Sequence, residues 1–122
     1  MASSTNDPTA GARAEVAGLK ITGVFFLHDF IEVHMEDVIL TGMTKPFGLI
    51  GGQGVGPASI VSLIGREVDD LTVVDGEYVA IDSGANLLAF PIGGSTATGP
   101  ESVTLVRPAH YELGIERAIW VW

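Results

Sequence analysis

Apolar, β-branched residues occur in this chain as short runs, each cut off by glycine or proline after a few positions. That punctuation is the strongest constraint on the fold. A helix of ordinary length needs ten or so uninterrupted positions with 3.6-residue periodicity, whereas a strand needs only four to eight. Leu71-Thr72-Val73-Val74 and Glu77-Tyr78-Val79-Ala80-Ile81 flank Asp75-Gly76, which predicts two strands joined by a two-residue type I′ turn. Asp82-Ser83-Gly84 turns the chain again into a strand over Asn86 to Ile92. Ile31-Glu32-Val33-His34-Met35-Glu36 alternates with period 2, so Ile31, Val33 and Met35 share one face and Glu32, His34 and Glu36 the other. Leu19 to Leu27 reads as a buried strand, Ser102 to Arg107 alternates again, and Ile115 to Trp122 reads as a last strand apolar on both faces.

Two stretches interrupt this rhythm. Residues 41–57 carry a dense set of glycines and prolines and predict a long connection or bulged strands. Ser59 to Ile64 fits either a short central strand or a helix of one or two turns, and Pro57 at a first helical position with Gly65 after the end favours the helix. Gly93 to Pro100 is a polar loop. Short strands at roughly 8–12-residue spacing predict an all-β domain, a small β-sandwich or barrel with one short helix near 57–64. The expected division is a flexible arm over residues 1–14 and a single β-rich domain over 15–122, since Met1 to Ala14 has no large apolar side chain after Met1.

Composition narrows the function. Fifteen acidic and six basic residues give a formal charge of −9, with no basic cluster to neutralise phosphates, so nucleic acid and anionic membrane surfaces are excluded as expected partners. Runs such as Val24-Phe25-Phe26-Leu27 are too short to span a bilayer, and Met1 to Ala14 lacks the features of a signal peptide. With no cysteine, neither disulfides nor thiolate metal sites arise. Hydrophobic residues nevertheless make up 47% of the chain against 17% charged, too little polar surface for a small body on its own. The expectation is a homo-oligomer, a trimer or another, with Phe25, Phe26, Trp120 and Trp122 as candidate interface residues.

Catalytic signals are weak. No serine sits in a G-x-S-x-G elbow, and Asp69-Asp70 reads as a turn. The run Gly51-Gly52-Gln53-Gly54-Val55-Gly56 fits neither the dinucleotide nor the P-loop spacing. The one cluster with metal-ligand chemistry is His28, Asp29, Glu32, His34, Glu36 and Asp37. A jelly roll using His28, Glu32 and His34 resembles a cupin, but cupins carry an H-x-H pair followed by Glu where this chain has H-x₅-H. His110 is a further histidine, read as a loop or edge residue. No cofactor is expected and no enzymatic activity.

The layout, a polar arm at Met1 to Ala14 followed by glycine-punctuated strands to Trp122, resembles the small capsid decoration (cement) proteins of tailed bacteriophages. That resemblance implies a structural protein that sits as an oligomer on a protein shell, on the virion surface, and reinforces it mechanically. The other expectations are a metal-dependent small β-barrel using His28, Glu32 and His34, or a non-viral, cytoplasmic oligomeric accessory subunit.

Overall fold

A computed structural model describes residues 8–93 and 102–122. Among the described residues ten strands form two five-stranded antiparallel sheets, with two short α-helices and one turn of 3-10 helix (Tyr111–Leu113) beside them. The first sheet contains β1 (Ile21–Phe26), β2 (Ile31–Met35), β3 (Val38–Gly42), β9 (Val103–Arg107) and β10 (Ala118–Val121), in that spatial order. The second runs β5 (Gln53–Gly54), β4 (Phe47–Ile50), β8 (Asn86–Pro91), β7 (Tyr78–Ser83) and β6 (Asp70–Val74). The chain leaves the first sheet after β3, builds the whole second sheet, and returns to lay β9 against β3. The expected all-β sandwich is what forms.

Alternation puts one face of each sheet into the core. Val33, Met35, Leu40, Val103 and Leu105 from the first sheet meet Ile50, Leu71, Val79, Ile81, Leu88 and Phe90 from the second, all at most 3% exposed. Burying an aliphatic side chain of this kind stabilises by roughly 1.5–3 kcal/mol, so these facing rows are the main driving force for pairing the sheets. The inter-sheet fit is closest where Phe90 crosses β3: a Cβ on Gly42 would lie 2.2 Å from the Phe90 ring.

Three turns show how glycine sets the register. Gly51 and Gly52 both have positive φ (62° and 77°) between the paired Ile50 and Gln53, so the type I′ hairpin lies here, inside the glycine run. Asp75-Gly76 does turn the chain, but only Gly76 has positive φ (71°), and Val74 pairs with Tyr78 across three residues. The two-residue type I′ turn expected there is therefore corrected, since Asp75 keeps a negative φ and Glu77 N–H closes on the Val74 carbonyl. Gly84, at φ 60°, opens the two-residue turn between Ser83 and Asn86.

The helix α2 (Pro57–Val61) occupies the expected place, with Pro57 just inside its start and Ile60 buried. The other helix is a correction. Residues 8–14, expected within a flexible arm, belong to α1 (Pro8–Val16). Its residues are small and weakly amphipathic, so local propensity gives little sign of it; tertiary contacts hold it. Ala12 and Val16 are fully buried, and Trp120 lies beside Gly11. Arg13 donates from Nε and a terminal nitrogen to both carboxylate oxygens of Asp70 at 3.0 Å, and Glu15 accepts from Arg107. Residues 1–7 of the expected arm, residues 94–100 of the expected polar loop, and residue 101 lie outside the described residues.

Leu19 to Leu27, expected as one buried strand, is an edge strand with Phe25, Phe26 and Leu27 each 44–50% exposed. A bulge at Thr22 shifts its register against β2, so that Ile21 faces Met35 while Val24 faces Val33. On its other side, Gly18 to Ile21 exchanges backbone hydrogen bonds with the segment 65–68 that leads into β6. Among the described residues no helix is long and apolar enough to cross a membrane.

Candidate functional site

The register of the first sheet assembles a surface that no stretch of sequence displays by itself. Residues directly opposite in antiparallel strands share a face. Val33, Leu40 and Leu105 are fully buried, so the residues between them point outward. One outward row reads Phe25, Glu32, Thr41, Thr104, Val121 across the five strands. The next reads Gly23, His34, Ile39, Val106, Ile119.

These ten positions hold one acid and one histidine, and the two are partners to each other. The Glu32 Oε1 and His34 Nε2 atoms are 2.9 Å apart, each side chain is under 30% exposed, and the Phe25 ring sits 4.6 Å from the imidazole. The remainder is glycine, threonine and aliphatic side chain. In a protein of net charge −9, this sheet face carries a single acidic side chain and no lysine or arginine. It can do little chemistry. It can pack against another flat surface with almost no charge to desolvate.

Of the ligands in the metal-binding alternative, Glu32 and His34 meet and His28 stands apart. His28 lies in the β1–β2 connection with its side chain 96% exposed and only Asp29 beside it, 3.6 Å away. Glu32 and His34 stand on the sheet face, and Glu36 is in the β2–β3 turn, where Oε2 accepts from Lys20 N–H. The face shared by His28, Glu32, His34 and Glu36 would need one continuous strand; β2 begins only at Ile31 and ends at Met35. Among the described residues no group of three His, Cys, Asp or Glu side chains could hold an ion. His110 reaches Asp37 instead, Nε2 to Oδ2 at 2.6 Å, pinning the loop after β9 to the β2–β3 turn.

Of the candidate interface residues, Phe25 is 50% exposed on the outer face and Phe26 is 44% exposed at the sheet edge. Phe26 also borders an apolar cleft of about 190 Å³ with Ile31, Pro46, Val55, Pro57 and Ile60. The cleft is small for a ligand site, and among the described residues Lys45 is the one charged side chain on its lining. Trp120 and Trp122 turn the other way, partly buried against the core. Their strand neighbours Ile119 and Val121 take the outward positions, 47% and 46% exposed. The alternation at the C-terminal strand was legible in the sequence; which half faced outward was not.

The Asp70 carboxyl is displaced from its ordinary range. The Arg13 guanidinium, hydrogen-bonded to Asp70, holds that carboxyl below its usual value, with partial burial opposing and the Leu71 N–H assisting. This pair fastens α1 to β6 and has a structural role. The chain matches no known protein family, no characterised protein and no solved structure.

Proposed function

We propose that this protein is a structural assembly subunit, and that within this class it acts as a shell-decorating protein of the phage cement type. The observation that carries the reading is the outer face of the first sheet, five strands wide and almost free of charge in a chain of −9. An acidic exterior keeps unpartnered copies apart in solution, while a neutral face lets one specific surface dock without burying unpaired carboxylates. Binding energy then comes from burying threonine methyls and aliphatic side chains, and the work done is mechanical reinforcement. The placement of His28 in an exposed connection, away from the Glu32–His34 pair on the sheet face, favours this over a cupin-like catalyst.

The test introduces charge at the centre of that face. Thr104→Glu and Val106→Glu are both outward positions on β9, so the fold is expected to survive. Co-sedimentation with empty phage shells stripped of their own decoration protein is expected for the wild type and lost in both variants. Equal occupancy by wild type and variants, or none by the wild type, overturns the reading.

A further inference from the structure

We propose that β10 pairs edge to edge with β10 of a second copy of this chain, in antiparallel register about a two-fold axis at Trp120. This inference rests on the assembly reading only for its context; its evidence is the edge itself.

The edges of the two sheets are not alike. β6 is covered by α1 through the Arg13–Asp70 pair. β5 is two residues long and ends in glycine. β1 is bulged at Thr22, and its start is paired to the segment 65–68. Short strands, bulges and covering elements are the ordinary means of preventing edge-to-edge pairing. Among the described residues β10, four residues long, has no bulge and no strand beyond it, and α1 meets it at the Trp120 side chain beside Gly11. It pairs only with β9, and Ala118-Ile119-Trp120-Val121-Trp122 contains no charge, proline or glycine.

Its hydrogen-bond phase is also fixed. Trp122 and Val103 exchange both backbone hydrogen bonds, at 2.8 and 3.1 Å. In an antiparallel ladder bonded and non-bonded pairs alternate, so Trp120 bonds to Leu105 while Ile119 and Val121 turn their N–H and C=O groups away from β9. The residues with outward-facing side chains on the sheet surface are therefore the ones offering backbone groups at the free edge.

A second β10 meets these requirements without adjustment. Facing residues must share a face, so Ile119 falls opposite Val121 of the second copy, and Trp120 opposite its counterpart. Each Ile119–Val121 pair exchanges both backbone bonds. No carboxylate comes opposite another, which matters for two chains of charge −9. A groove of about 490 Å³ also opens beside β10, bordered by Thr9, Val73 and Asp75. The product is a continuous ten-stranded sheet whose neutral outer face is doubled in width.

Light scattering of the purified chain at micromolar concentration is expected to give twice the monomer mass. Val121→Pro removes an N–H that no bond among the described residues uses, and Ile119→Lys places a charge at the free edge. Both are expected to give monomers with the wild-type circular dichroism spectrum. Should the proline variant not fold, the lysine variant decides. A monomeric wild type, or a dimer that survives Ile119→Lys, overturns the inference. A monomer that still docks on stripped shells sinks the edge pairing alone, and a dimer that never docks sinks the decoration reading alone.

Discussion

Gly42 on β3 and Phe90 on β8 are made for each other: ring carbons of Phe90 stand 2.2–2.6 Å from where a Gly42 side chain would begin. The two residues belong to opposite sheets, so this contact sets how closely the layers approach. Gly42→Ala is expected to cost about 1–3 kcal/mol by overpacking. Phe90→Leu is destabilising alone, because it leaves a void. In the double variant the losses should fall short of their sum by roughly 0.5–3 kcal/mol. Urea unfolding of the four proteins measures this coupling, and strict additivity would show that the contact does not set the spacing.

The Arg13–Asp70 pair makes helix docking pH-dependent. Folding lowers the Asp70 pKa, so its contribution is present above the ordinary value of 3.8 and is lost as pH falls below that through the depressed folded value. Both side chains are more than a third exposed, which limits the pair to about 0.2–1 kcal/mol. Asp70→Asn should lower the urea midpoint at neutral pH, and the gap from wild type should close in strong acid. A gap that is constant with pH would assign the loss to packing.

Glu36 is the one non-glycine residue among those described with positive φ, at 59°. Its carboxylate accepts from Lys20 N–H at 3.0 Å, which links the β2–β3 turn to the start of β1. Glu36→Ala loses that bond and keeps the strained backbone, whereas Glu36→Gly loses the bond and relieves the strain. The alanine variant should be the less stable by about 1 kcal/mol. Thermal unfolding of the two proteins gives the order directly.

Zinc or manganese added to the purified protein should leave its melting temperature unchanged, and His34→Ala should not alter metal content. The separation of His28 from the Glu32–His34 pair is the reason. Stoichiometric metal lost on that substitution would restore the catalytic alternative.

What the sequence made legible follows from the range of each interaction. The strands at Ile31–Met35 and Tyr78–Ser83 and the helix after Gly56 rest on local patterns of alternation and glycine or proline placement, and they are where those patterns put them. The type I′ turn was misplaced because Asp-Gly and Gly-Gly both permit it, and only strand register chose between them. Helix α1 was hidden because Ala10, Gly11 and Ala12 carry no amphipathic signal; its reasons for existing are Asp70, Arg107 and Trp120, far away in sequence. The neutral sheet face was invisible for the same cause. Thr41 and Thr104 become neighbours only when β9 returns to β3.

Thr22 is, in counting terms, a spare residue. Opposite β2 the chain spends one more position on β1 than the ladder requires, and the surplus is taken up before Gly23. Excising Thr22 would straighten the strand yet leave Val24 turned inward and Phe25 turned outward, at the loss of one hydroxyl bond to the His34 carbonyl. The same excision within β2 or β3 would rotate core methyl groups into water. The first strand can thus be shortened without repainting the surface that its neighbours complete.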